Sequence, residues 1–278
     1  MIRGSLRRIP GARPVYARAL SALERLLPLP APGYIPETPA IDDGGHGLFF
    51  RLTADTLGNA ALSPEAKEFV IRVLSRLTPI EEVELLQMKM RAGLEKFGDH
   101  WSYASLHTLL SAASYFIQPA NYLEIGVRRG YSAAVVAAMC PSSNIYGFDL
   151  WMDDYIGVPN PGPDFVRAEL VRAGHQGTAT LVSGDSRSTV PEFLIEHPEL
   201  FFDMITIDGV KSMRGVASDF RHTLPRLKIG GVVAYDDLPV KPLLRRVWNR
   251  MIRDDDRFVS WEFLDGNFGV AAAIRIKE

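Results

Sequence analysis

The run Phe202-Asp-Met-Ile-Thr-Ile-Asp-Gly-Val-Lys211 is apolar until it stops on Asp208-Gly209, with Lys211 three residues beyond the acid. A second apolar run, GGVVAYDDL, stops on Asp236 and Asp237. Strands that end in acids bring them to the carboxyl edge of a parallel sheet, where open α/β sheets bind ligands. Three carboxylates in one cleft repel one another, and desolvation adds to the cost unless a cation compensates. Oxygen-only ligands suit a hard ion such as Mg²⁺. A dication lowers the pKa of a coordinated hydroxyl, and a lysine whose own pKa is depressed by burial can take the proton. The plainer readings are that Asp208 caps a helix or meets another ligand, and that Lys211 is a solvated surface lysine.

A different chemistry is written in LEIGVRRGYSA, a strand followed by a glycine turn and a helix start. Gly126 and Gly130 permit the turn and a close backbone approach. Arg128 stands where a G-x-G-x-x-G fingerprint has its second glycine, which argues against a dinucleotide oxidoreductase. Glu124 repels phosphate and suits a cationic amino group. Asp149 ends the next strand, where a carboxylate can accept both hydroxyls of a ribose or, more plainly, cap a turn. A ligand with a ribose, an ammonium group and no phosphate is implied, and S-adenosylmethionine has all three features.

These residues need strands and helices to hold them. YLEIG, IYGFD, ATLVSGD, DMITIDG and GVVAYDD are short β-rich runs, separated mostly by helical patterns over 132–139, 164–173, 190–197 and 213–227. Such alternation predicts an α/β fold, a doubly wound, mostly parallel sheet with helices on both faces. The terminal run RFVSWEFLDGNFGVAAAIRI reads as an antiparallel hairpin turning around Asp265-Gly266-Asn267. Upstream, Ser63-Pro64-Glu65 starts one helix and Thr78-Pro79-Ile80-Glu81 reads as the capping box of another. A third helix is expected over 103–117, stopped by Pro119. Residues 28–46 are rich in Pro and Gly and read as a linker. The arginine-rich segment before it lacks an acid until Glu24 and reads as a loose basic tail, with a transit peptide as the alternative.

Composition excludes more than it assigns. With 278 residues and a formal charge of −2, the chain can build a sizeable core but has no global field for nucleic acid. A single cysteine, Cys140, rules out an internal disulfide and fits a cytoplasmic setting. No apolar run is long enough for a membrane span. The histidines lack metal-ligand spacing. Arg245, Arg246, Arg250 and Arg253 read as a solvated helix face.

In order and spacing, LEIGVRRGYSA, TLVSGDSRSTVPEF, FDMITIDGVK and VVAYDDL resemble the motifs of catechol O-methyltransferase and related class I methyltransferases. The resemblance runs from about Tyr103 to the C-terminus. It implies a Rossmann-like, seven-stranded sheet with an antiparallel last strand over residues 101–278, and an N-terminal arm and helical cap over residues 1–100. It implies that Glu124, Gly126, Gly130, Tyr131, Ser132, Asp149 and Ser186 line an S-adenosylmethionine pocket shared with Asp208, and that Asp185 faces the adenine. It implies, further, that Asp208, Asp236 and Asp237 hold Mg²⁺ and that Lys211 is the base. The segment around His100 and Trp101 would close over the methionine end of the cofactor. An insert after Asp149, with Trp151 and Tyr155, would form a flap over the acceptor. Two departures stand out: Asp237 replaces the Asn of the catechol enzymes, and Val210 stands where metal-dependent sugar O-methyltransferases usually carry an acid. Methyl transfer to a hydroxyl of a small molecule or sugar is therefore expected, with homo-oligomerisation open. The rival readings are a metal-independent methyltransferase and a non-catalytic scaffold; the second has no need of Glu124, Gly126, Gly130 and Asp149 together.

Overall fold

The computed structural model describes residues 39–41, 52–153, 159–238, 242–265 and 269–278. The basic N-terminal segment, most of the Pro/Gly-rich linker, Tyr155 and the turn residues Gly266 and Asn267 lie outside the described residues.

Seven strands form one sheet: β1 (Asn121–Ile125), β2 (Asn144–Asp149), β3 (Ala179–Ser183), β4 (Phe202–Ile207), β5 (Leu227–Asp236), β6 (Phe258–Phe263) and β7 (Val270–Arg275). Their order is β3-β2-β1-β4-β5-β7-β6. All neighbouring pairs from β3 to β5 are parallel, and β7 runs antiparallel to both β5 and β6. The chain reverses its direction of winding between β1 and β4, so the ligand crevice is expected there. Nine α-helices are described: α1 (Ala54–Ala61), α2 (Pro64–Leu74), α3 (Glu81–Phe97), α4 (Leu106–Ile117), α5 (Tyr131–Met139), α6 (Pro163–Ala173), α7 (Ser186–Glu196), α8 (Met213–Thr223) and α9 (Pro242–Trp248).

Strand alternation sorts the core into two layers. Tyr122, Met204, Val232 and Ala234 face α1–α6 in one cluster. Leu123, Ile205, Val233 and Tyr235 face α7–α9 in the other. By the same parity Glu124, Asp149, Asp208 and Asp236 all belong to the first face. Period-two alternation thus delivers four acids to one side of one sheet edge.

The helix starts follow local chemistry. Ser63 accepts from the Ala66 amide ahead of Pro64, a cap worth about 1 kcal/mol. Ser105 and Thr108 form a reciprocal capping box for α4. The capping box expected at Thr78 is not made. Helix α3 begins at Glu81 with no side-chain cap, because Thr78 turns to the buried Glu169 of α6, donating its amide at 2.8 Å and its hydroxyl at 2.6 Å. Helix α7 begins four residues before the expected start because Asp185 caps it. Helix α1 carries no strong sequence signal; Gly58 within it makes room for the Trp261 ring on β6. The expected solvated arginine face is only partly so, since Arg245 reaches Glu262 at 3.4 Å.

Candidate active site

The turn after β1 is fixed by backbone. Gly126 has φ +93, and a Cβ there would run into the Asp208 carbonyl of the neighbouring turn. The glycine therefore serves close approach between two strand ends as well as the turn. The Asp208 amide donates to the Ile125 carbonyl at 2.8 Å, and the Gly126 amide to the Phe148 carbonyl at 2.8 Å. Gly130, φ +78, is the N-cap of α5 and packs against Val166.

Asp149 ties this turn to the next. One carboxylate oxygen accepts the Arg128 amide at 2.7 Å and the other the Trp151 amide at 2.6 Å. Each oxygen retains lone pairs for a further donor. Arg128 and Trp151 have φ +51 and +49, and Asp237 has φ +63. Three of the four non-glycine residues with positive φ among those described thus lie at the carboxyl edge of β1, β2 and β5. Strain of this kind persists where the surroundings over-determine it.

Glu124 is fully buried, accepts from the Ser132 hydroxyl, and leaves Oε2 without a partner. Burial pushes its carboxyl up to about 8, against the lowering effect of Ser132, with Asp208 adding to the rise. A buried acid with one open oxygen fits a cationic group. The Tyr131 hydroxyl accepts from Arg129 Nε at 3.0 Å. Ser186, by contrast, donates to Asp219 at 2.7 Å, and Asp185 is committed to the α7 cap and to Arg187.

Across the switch point, Lys211 Nζ donates to Asp208 and lies 3.2 Å from Asp237. Burial by itself would lower the lysine, but Asp208 and Asp237, with Asp236 behind them, outweigh it and hold its pKa above the usual value. The depressed pKa expected for a resting base is therefore not found. Burial, then Asp208, pushes Asp236 well above the carboxylate range. Burial also raises Asp208, with Lys211 opposing and Asp237 adding. Three acids and one lysine leave the cluster short of positive charge. Among the described residues no three acids, histidines or cysteines close into a metal-ligating group.

Several residues of this edge have little signal in sequence. Tyr103 stacks on Trp101 at 4.8 Å, has Lys89 Nζ 4.6 Å from its ring, and is raised by burial and, more weakly, by Asp236. Trp101 is thus packed against Tyr103, and its carbonyl accepts from the buried Lys67 at 3.0 Å. Glu82 of α3 pairs with Arg128 at 2.8 Å, bringing the helical extension to the glycine turn. Asp219 is buried on α8 with Oδ2 unpartnered, and burial raises it to about 7. Its signal was present: Val216, Asp219, Phe220 and Thr223 follow helical spacing, with an acid inside the buried stripe.

A family model described as a methyltransferase domain matches residues 123–238, a span containing every acid of both strand edges. Among solved structures, the O-methyltransferase TomG from Streptomyces achromogenes, involved in tomaymycin synthesis and in complex with SAM, is 18% identical. It covers 72% of this chain and 92% of its own, with a TM-score of 0.51. The O-methyltransferase from Bacillus cereus in complex with SAH is 20% identical, covering 76% of this chain and 97% of its own, with a TM-score of 0.50. CalS11, a calicheamicin methyltransferase, is 22% identical over 76% of this chain and 91% of its own, with a TM-score of 0.48. Comparison with curated proteins finds no match. Sheet order, strand-edge geometry and the matched domain define a class I methyltransferase fold. Residues 123–238 therefore match a methyltransferase domain, on a fold shared with solved O-methyltransferases that hold SAM or SAH.

Proposed function

We propose that the acceptor atom is oxygen: the chain transfers the methyl of S-adenosylmethionine to a hydroxyl of a small molecule or sugar, with Mg²⁺ at the β4–β5 edge. The observation that carries this reading is the charge-deficient cluster of Asp208, Asp236 and Asp237 around Lys211, across the switch point from the open Glu124 oxygen. The O-methyltransferases with SAM and SAH share the fold and support the same choice.

In this reading Glu124 Oε2 receives the cofactor's ammonium and Asp149 its ribose hydroxyls, while Gly126, Gly130, Tyr131 and Ser132 shape the pocket floor. Ser186 and Asp185 meet the adenine side from the start of α7. The acceptor oxygen attacks the methyl carbon as the carbon–sulfur bond breaks, leaving S-adenosylhomocysteine and a methyl ether. Alignment of that kind lowers a barrier by about 7–11 kcal/mol. The oxygen chemistry of the three acids suits a hard dication, although they do not close into a ligating group in this structure; a dication held there would lower the pKa of an acceptor hydroxyl. Lys211, once its two carboxylates are engaged elsewhere, loses the cause of its raised pKa and can accept the hydroxyl proton. The buried, free Cys140 suits a cytoplasmic setting.

A second reading has a specific observation behind it. Lys211 already lies between Asp208 and Asp237, so its ammonium can serve as the cluster's own cation and no metal is needed. The test is methyl transfer from labelled S-adenosylmethionine to a panel of phenols, polyols and sugar nucleotides, with Mg²⁺ and with EDTA. Turnover lost in EDTA and restored by Mg²⁺ supports the first reading; turnover indifferent to EDTA establishes the second. Cofactor that binds calorimetrically, with the whole hydroxyl panel inert and a parallel set of amine and carbon acceptors methylated, overturns both.

A further inference from the structure

Helix α3 is buried along one side only, through Val83, Met90 and Gly93. The opposite side carries Leu85, Met88 and Ala92 at heptad spacing, with Leu85 51% and Met88 59% exposed. A shallow groove runs beside Met88 and Ala92 of this stripe, between Glu84, Gln87, Arg91 and Glu95. Glu84 and Arg91 flank the stripe on the same side and enter no ion pair among those of the described residues. Seven residues apart, they are separated by about 10 Å of helix and do not pair within one molecule.

We infer that this face binds the same face of a second copy, with the two α3 helices antiparallel about a two-fold axis. One register satisfies the whole pattern. With Leu85 against Met88 of the second copy, and Met88 against its Leu85, each Glu84 comes beside an Arg91, giving two equivalent ion pairs. A parallel pairing would set Arg91 beside Lys96 of the other copy, like charge on like, and its one attractive pair, Glu84 with Lys89, would draw Lys89 off the Tyr103 ring. The other flank is already used inside the molecule, since Glu82 holds Arg128 and Lys89 covers the Tyr103 ring. That use leaves the stripe with its Glu84 and Arg91 edge facing outward. The same helix supplies Glu82 to the glycine turn, so the contact seats a second copy directly behind the cofactor edge of the first.

The inference is independent of the reaction. It is tested by sedimentation velocity and light scattering on the full chain up to about 100 µM, a range that detects micromolar association. A concentration-dependent dimer is expected. Arg91→Glu and Glu84→Arg each place two like-charged pairs across the axis and should raise the dissociation constant about tenfold or more. The combined Glu84→Arg/Arg91→Glu chain should return to within about threefold of the parent, because the swap restores both pairs. Thermal melts of the three variants should match the parent, since the exchanged side chains are exposed. A parent chain that stays monomeric at the highest concentration overturns the proposal, whether another segment or another protein covers the stripe. A dimer indifferent to both single reversals, or one not rescued by the double, overturns it equally.

Discussion

The two sides of the switch point solve opposite problems. At the β1–β2 edge, backbone amides and glycines do the holding: Asp149 accepts two amides, and Gly126 admits the carbonyl of the adjoining turn. Two side-chain atoms there, Glu124 Oε2 and Trp151 Nε1, are buried without a partner. At the β4–β5 edge side-chain charges face one another, and a single lysine answers three acids. The first edge is a mould set before any ligand arrives. The second is an electrostatic deficit that a ligand or cation relieves. A cofactor of fixed shape suits the one and a reacting centre suits the other.

The contrast can be broken most severely at Asp236. Asp236→Ala should reduce methyl transfer roughly 10²–10³-fold, as loss of a group acting on developing charge does, while cofactor affinity changes less than about threefold. Rate assays and calorimetry on one preparation check both halves of that statement. If cofactor affinity collapses with the rate, the two edges are not separable.

Gly126→Ala attacks the mould. Its positive φ and the Asp208 carbonyl leave no room for a methyl group, so stability should fall by about 2–4 kcal/mol. Chemical denaturation measures the change; a near-neutral result would mean that the two turns are not packed as described.

The smallest expected effect is on the pH dependence of stability. Glu124 is raised from its ordinary 4.5 to about 8, so between those values the folded chain keeps a proton that the unfolded chain releases. Stability therefore falls as pH rises through that window. Glu124→Gln should make the fall shallower, with Asp219, Asp208 and Asp236 carrying the rest, and S-adenosylmethionine should offset the Glu124 part in the parent by supplying a cation to the ionised form. Melting temperatures across the window, with and without cofactor, read both effects.

Much of this was legible in the chain itself. Acids at strand ends, together with strict alternation, place Glu124, Asp149, Asp208 and Asp236 on one face without any tertiary information. The antiparallel hairpin was equally plain from its two apolar runs. What sequence did not show is who competes for each group. Thr78 has the spacing of a capping box, yet Glu169, distant in sequence, takes its donors. Lys211 reads as a base with a lowered pKa until Asp208 and Asp237 are found around it. Ser186 reads as a cofactor contact, and nothing near it in sequence shows that its hydroxyl also donates to Asp219. Local pattern fixes which side a residue faces; its partner on that side is a property of the fold.

In the proposed function the β4–β5 edge completes itself with a dication. Mn²⁺ can stand in for Mg²⁺ and is counted directly by the loss of its free paramagnetic signal. We would titrate it into the S-adenosylhomocysteine complex of the parent, of Asp236→Ala and of Lys211→Ala. One saturable site is expected in the parent, with its loss in Asp236→Ala and tighter binding in Lys211→Ala, where the competing ammonium is gone. No saturable Mn²⁺ in either the parent or Lys211→Ala would contradict that function and leave Lys211 as the only cation of the site.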